Sequence, residues 1–325
     1  MRSAIYRRFG DPAEVLEAGD SPMPEPAAGQ VRVRMRLAPI HNHDLVTIRG
    51  QYGWKPQLPA IGGSEGFGVV DALGEGVEGI AVGQRVTAAS AQGTWAEYFV
   101  ASARMLVPVP DAIDDPTAAQ LVAMPLSALM LLESLDVAPG QWIVQNAANG
   151  AVGKTLAMLA AARGVHVLSL VRRESGVAEM ARLGIANVVC TAEDGWRDAA
   201  RALLGKDRAR AAVDSVGGQA SADLVGLLGD GGVLVSFGAM GGEPMHVPPG
   251  DVIFRQIVVR GFWGSQTSRD MPMERKRALL GELVRRAAAG ELRLPVDAIH
   301  DLDHAAGAAA ASQRGGRGGK VLLRG

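Results

Sequence analysis

A phenol, an indole and a carboxylate stand in GQYGWKPQLPAIGGSEGFG (50–68), a stretch otherwise punctuated by glycine and proline. Tyr52 is the group there best suited to give a proton to carbon or to hydrogen-bond a developing oxyanion, because a phenol ordinarily keeps its proton to about pH 10. Packing against Pro56 or Pro59 is the other use for that ring. Glu65 follows Gly62 and Gly63 at the start of the next strand and suits a structural task, as a buried carboxylate holding backbone N–H groups or an arginine. Trp54 reads as a packing residue. His41 and His43 form an H-x-H pair with no third soft ligand nearby, which points to two hydrogen-bonding loop histidines and no metal. Cys190 is the single cysteine, which excludes an intramolecular disulfide and any zinc site built from several thiolates.

A second chemical signal lies in QWIVQNAANGAVGKTLAMLAAARGVHVLSLVRR, from Gln141. A strand ends near Asn146, a glycine turn follows and a helix opens near Ala151, so its unpaired N–H groups can face an anion such as a pyrophosphate. Gly150 allows the backbone to approach phosphates and Gly153 allows helix to pack closely on strand. Ala148 stands where G-x-G-x-x-G has its first glycine. A tight turn that binds nothing is the competing reading, and the order strand, turn, helix, strand argues against it. The second strand ends in Arg172 and Arg173 where an NAD site offers an acid to the ribose, so a 2′-phosphate and hence NADPH are expected.

The elements that must position these groups fall into two patterns. Up to about Pro116, short β-rich runs alternate with turns: Val31–Leu37, Phe67–Ala72, Gln84–Ala88, Trp95–Val100 and Met105–Pro108, which suggests a compact, barrel-like domain. Beyond it, apolar strands at Trp142–Gln145, Val165–Val171, Ala211–Val216, Val233–Phe237 and Ile257–Gly261 alternate with Ala/Leu-rich helices, the pattern of a parallel sheet covered on both faces. A helix over Met273–Ala289 ends at Gly290, and a strand over Lys320–Leu323 is assigned back to the first domain. QRGGRGGKVLLRG reads as a turn before that strand, not as an RNA-binding segment. Basic and acidic residues number 33 and 34, which argues against nucleic acid and anionic lipid as partners. Leu121–Leu132 is the most apolar run and contains Pro125. It falls short of the roughly 20 residues a bilayer needs. The N-terminal MRSAIYRRFG lacks an apolar h-region, so a cytoplasmic protein is expected.

Six stretches, IHNHDLVTIRGQYGWKPQLPAIGGSEG (40–66), PGQWIVQNAANGAVG (139–153), DSVGG (214–218), FGAM (237–240), RGFWGSQ (260–266) and GKVLL (319–323), together resemble the medium-chain dehydrogenase/reductase superfamily. The branch they resemble is the zinc-free one of quinone reductases and mitochondrial-type 2-enoyl thioester reductases. The resemblance implies an α/β chain. Residues 1–116 and 265–325 would form a GroES-like, β-rich substrate domain, and 117–264 a Rossmann domain with a doubly wound parallel sheet. It implies an active site in the cleft and a homodimer that pairs the strand at Ile257–Gly261. Zinc-dependent relatives place a cysteine near His41, Gly-His-Glu where this chain has Gly63-Ser64-Glu65, and a cysteine near Met124, so no metal is expected. Without a Lewis acid, a conjugated acceptor is the natural substrate.

The resemblance gives Tyr52 the role of proton donor after hydride from NADPH reaches the β-carbon of a 2-enoyl thioester (enoyl-CoA or enoyl-ACP). It places His41, Met124 and Trp263 at the substrate. It places Asn149, Gly150, Ala151, Val152, Gly153, Phe237, Gly238, Ala239, Met240, Phe262, Trp263, Gly264 and Lys320 at the cofactor, beside Arg172 and Arg173. Two departures leave the acceptor open: enoyl reductases have Asn-Pro-Ser-Asp at His41-Asn42-His43-Asp44 and Val-Asn-Pro at Ala123-Met124-Pro125. A quinone or enone acceptor, and a dinucleotide-binding protein without catalysis, are the alternatives.

Overall fold

A computed structural model of the chain describes residues 1–325. Two compact units emerge: Met1–Ala123 with Leu280–Gly325, and Met124–Leu279.

The first unit opens with β1 (Arg2–Tyr6) and β2 (Glu17–Asp20), which with β4 (Ala60–Ile61) form a small antiparallel sheet. β3 (Gln30–Pro39) buries Val31, Val33 and Met35 and turns Arg34 and Arg36 to solvent, the period-two alternation of a strand with one face on a core. β3 pairs with β5 (Glu65–Leu73), which continues through β6 (Arg85–Ala89) to β8 (Leu106–Pro108), and β7 (Tyr98–Ser102) joins β3 on its other side. The C-terminal chain returns here: β15 (Val296–Asp301) and β16 (Lys320–Arg324) extend the same sheet, with Leu322 opposite Pro39. Residues 314–319 make the turn before β16.

Trp95 does not begin a strand with the residues that follow it. The chain at this point serves β1 instead, where Ala4 N–H donates to the Trp95 carbonyl at 2.8 Å, and pairing with β3 starts only at Tyr98. The fully buried indole fills the space over Gly62 and Gly63, where a Cβ would lie 2.3 Å from ring atoms. Gly63 also has φ +92, a backbone state that L side chains rarely adopt. The glycine pair before Ser64 and Glu65 is therefore required by an indole some thirty residues further along the chain.

The second unit is a six-stranded parallel sheet ordered β11 (Val188–Cys190), β10 (His166–Val171), β9 (Trp142–Gln145), β12 (Ala209–Asp214), β13 (Leu228–Ser236) and β14 (Val258–Gly261). Helices Ala151–Ala162, Glu174–Arg182, Trp196–Leu204 and Gln219–Val225 connect successive strands, as crossovers in a doubly wound fold must. The helix Met273–Ala288 is followed by Gly290 at φ +72, the left-handed turn that ends many helices. No helix is long and apolar enough to cross a membrane.

Candidate active site

Residues of the 50–68 stretch line a cavity of about 490 Å³ in the first unit. Tyr52, Trp54, Pro56 and Ile61 supply ring and aliphatic surface, and His43 and Ser64 supply polar atoms. Tyr52 thus shares one concavity with Pro56 and Pro59, the prolines of its alternative packing reading, while Trp54 is 48% exposed at its rim. An apolar wall with a few converging polar groups is the usual make-up of a small-molecule site.

The polar wall is built by the short helix Asn42–Ile48 and the start of β5. His41 caps that helix: its backbone N–H donates to Asp44 Oδ2 at 2.9 Å, one half of a capping box. Asp44, also buried, accepts a second bond at Oδ1 from the Ser64 hydroxyl at 2.6 Å. The Ser64 oxygen stands 2.7 Å from His43 Nε2. Because the serine hydrogen is committed to the carboxylate, His43 donates from Nε2. The His43 ring stacks on His41 at 5.0 Å between centroids and stands 6.0 Å from the Tyr52 ring.

Behind this wall His41 and Glu65 are fully buried, with Nε2 and Oε2 2.7 Å apart. Glu65 Oε1 accepts the backbone N–H groups of Val122 (2.8 Å) and Ala123 (2.9 Å), at the start of the helix Ala123–Ser134. The sequence reading of Glu65 as a holder of backbone N–H groups holds, and its side-chain partner is a histidine, not an arginine. Burial raises the Glu65 carboxyl to about 7 against the pull of those N–H groups and of Lys320. Burial likewise holds the His41 imidazole well below its ordinary range, with the charges of Lys320 and His43 adding to the effect. The Lys320 amine, half-buried and bonded to the Ile40 carbonyl at 3.2 Å, is lowered to about 8 by desolvation. His41 Nδ1 is the one buried side-chain nitrogen without a hydrogen-bond partner. His41 does not line the cavity and His43 does.

In the second unit the C-terminal ends of β9 and β12 are locked together, the sheet edge where open α/β folds bind ligands. Asn146 Nδ2 donates to Asp214 Oδ1 (2.7 Å) and Asn146 Oδ1 accepts from Ser215 N–H (2.7 Å). Burial would raise the Asp214 carboxyl, but bonds from Ser221, Asn146, Gly217 and Val216 outweigh it and hold the group below its ordinary value. Gly150 is the N-cap of the helix Ala151–Ala162 and gives it no side-chain cap, which leaves the first-turn N–H groups for an anion. A Cβ on Gly153 would come within 2.5 Å of the Ala148 carbonyl, so the close approach expected there is made to the turn itself. Asn149 Nδ2 donates to Glu179 Oε2 at 3.2 Å, and Glu179 also pairs with the buried Lys154.

Arg172 and Arg173 are exposed where β10 ends. Phe237 and Phe262, at the ends of β13 and β14, have rings 6.0 Å apart. Met240 and Trp263 are 76% and 58% exposed, and Met124 is half-buried near the start of its helix. Lys320 lies in the first unit, on β16.

The donor set does not fit a catalytic zinc. Ser64 and Met124 stand where the resemblance puts a histidine and a cysteine, and the chain's one thiol, Cys190, lies on β11 beside Glu174 and Glu193. Two exposed carboxylates and a single buried sulfur are not the closed set a structural zinc requires. Sequence reasoning missed the His43–Ser64–Asp44 chain and the Asn146–Asp214 tie. The signals for the first were present: Asp44 at the N3 position after His41, and Ser64 directly before the carboxylate already singled out.

Two family models match the chain: the alcohol dehydrogenase GroES-like domain over 27–111, and the zinc-binding dehydrogenase over 151–279. The mitochondrial enoyl-[acyl-carrier-protein] reductase of Homo sapiens is 33% identical over 301 residues, 91% of this chain and 81% of that protein. A mycobacterial quinone oxidoreductase of known structure superposes with a TM-score of 0.87 at 28% identity over the whole of both chains. A mycobacterial structure complexed with NADPH does the same, with a TM-score of 0.87 and 28% identity over all of both chains. The glycine turn and uncapped helix after β9, the parallel sheet around it, the GroES-like unit and these likenesses agree, and the chain belongs to the medium-chain dehydrogenase/reductase superfamily of oxidoreductases.

Proposed function

We propose that this oxidoreductase reduces the activated C=C bond of 2-enoyl thioesters with NADPH, and that Tyr52 donates the proton to the α-carbon. The observation that carries the reading is Tyr52 in the wall of a partly apolar cavity beside His43, in a chain similar along 91% of its length to an enoyl thioester reductase.

The cofactor's phosphates are held by the backbone at Asn149, Gly150, Ala151, Val152 and Gly153, where the helix offers uncapped N–H groups. Arg172 and Arg173, exposed and outside every ion pair of the structure, take the 2′-phosphate. Phe237–Met240 and Phe262–Gly264 take the nicotinamide half. The chemistry NADPH supplies when bound is a hydride for the β-carbon of the acceptor. Trp54, Pro56 and Ile61 exclude water from the acyl chain, Tyr52 hydrogen-bonds the charge that develops and then protonates carbon, and Glu65 keeps the backbone at 122–123 in place. In D2O the product should carry one deuterium at the α-carbon, and with a deuterated nicotinamide one at the β-carbon. A thioester product labelled at neither position, or no thioester turnover at all, contradicts the reading.

A second reading, NADPH:quinone oxidoreductase, is favoured by the mycobacterial structural neighbour and by the replacement of both family asparagines, at His41 and Met124. That reaction needs proximity more than a proton donor. In either case we read the chain as a homodimer. β14 forms the edge of the parallel sheet, all four of its residues are exposed, and Val258 and Val259 on it and Ile253 and Phe254 just before it are exposed apolar side chains.

A further inference from the structure

We propose that Tyr6 is a specificity residue of the cavity, its hydroxyl donating a hydrogen bond to an oxygen that the acceptor molecule carries beyond its conjugated carbonyl. The inference rests on the reading of this cavity as the acceptor site and adds a second phenol to it.

Tyr6 closes β1, opposite Ala60 of β4. Its ring belongs to the hydrophobic core that also holds Val15, Leu16, Leu45 and Ile48, and stands 6.4 Å from the Phe9 ring. Only 2% of the residue is exposed, yet it lines the cavity. No group of the protein bonds its hydroxyl. Asp44, whose charge reaches it, has Oδ2 on the His41 N–H and Oδ1 on Ser64. The hydroxyl is not sealed in either, because the one enclosed side-chain atom without a partner is His41 Nδ1. A donor without a partner in the protein, on a side chain otherwise in the core, therefore opens onto the cavity. Burial, with the Asp44 charge second, raises the phenol to about 12, so it stays a donor over the whole neutral range.

The lining of the cavity is graded. Trp54, Gln57 and Gln92 are exposed at its mouth, whereas Tyr6 and Ile48 are buried at its inner end. A plain alkyl chain filling that end would strip water from the Tyr6 O–H and leave the donor unpaired, at the full desolvation cost of a buried polar group. An oxygen placed there takes the bond instead. With Tyr52 at the reacting end, the part of the acceptor that reaches Tyr6 is its far part. Two acceptor classes share this chemistry: a quinone, through its second carbonyl, and a 2-enoyl thioester whose chain carries a further oxygen. Tyr6 exchanges no proton with either, and its bond acts on selection alone.

The test compares kcat/KM of wild type and Tyr6→Phe on two matched pairs. One pair is benzoquinone against cyclohexenone, and the other a 2-enoyl thioester with an ether oxygen in its chain against the same chain built of methylenes. Tyr6→Phe keeps the ring and removes only an unpaired hydroxyl, so the melting temperature and NADPH affinity by fluorescence should stay at their wild-type values. The preference for the oxygen-bearing member should fall at least about tenfold in the variant, and the pair in which it falls tells a quinone from a functionalised chain. A loss shared equally by both members of each pair, or no change in either ratio, overturns the proposal. Trp54→Ala separates this from failure of the underlying reading. At the exposed mouth it should raise KM for every acceptor, and KM unchanged throughout would place the acceptor outside the cavity and remove both readings.

Discussion

Glu65 carries three contacts on two oxygens, and each comes from a part of the chain distant in sequence: His41, Val122 and Ala123. Its carboxyl titrates near 7 in the fold against 4.5 without it, so the folded state binds the proton more tightly. A raised pKa of this kind contributes stability below pH 4.5 that is lost as pH rises through about 7. Glu65→Gln keeps the acceptor for the two N–H groups and does not titrate, so urea unfolding should show the variant gaining on wild type between pH 4.5 and 7. A difference that is flat over that window contradicts the buried, raised carboxyl. His41 works in the opposite sense, since its depressed imidazole costs stability as pH falls below 6.5, and Gln at position 65 leaves that loss in place. At this scale two residue readings were legible, Glu65 as a holder of backbone and a histidine pair making hydrogen bonds. The partner of each histidine was not, because Ser64 and Glu65 lie 21 and 24 residues away and only the folded β5 brings them to the helix Asn42–Ile48.

The glycine loop makes separable predictions at the scale of one turn and one helix. Gly153→Ala sets a Cβ 2.5 Å from a backbone carbonyl that cannot move aside freely. It should destabilise the unit by about 1–3 kcal/mol, seen as a lower Tm with or without cofactor. Gly150→Ala meets only the Ala147 carbonyl, at 3.2 Å, so the melting temperature should stay close to wild type while NADPH affinity falls about tenfold where phosphate must approach the backbone. Equal behaviour of the two variants contradicts the division between packing and phosphate contact. Arg172→Ala with Arg173→Ala should erase the preference for NADPH over NADH, measured as the ratio of kcat/KM for the two cofactors. The inner parallel strands were readable because they are apolar runs buried on both faces, and β9 matches residue for residue, whereas β14 is apolar but exposed. β1, β2 and β4 were not, since runs of two to five residues with Ser3, Gly19 and Glu17 carry no periodic signal. Trp95 misled for a physical reason, because its aromatic β-propensity serves burial over Gly62 and Gly63 and not a ladder.

Over the whole chain, the return of residues 280–325 to the first unit is fixed by β16 against β3, a pairing that composition near the C-terminus gave no means to derive. The exposed β14 edge predicts a particle of twice the 33.8 kDa chain mass in light scattering, and Val258→Asp should halve it. A dimer insensitive to that charge places the interface elsewhere. The reaction itself is tested by NADPH oxidation with a trans-2-enoyl thioester and with naphthoquinone, comparing wild type and Tyr52→Phe. Thioester turnover should fall at least about 10²-fold in the variant while NADPH binding is retained. Turnover of the quinone alone, unchanged by the substitution, would contradict the proposed reaction and leave Tyr52 a packing residue of the cavity.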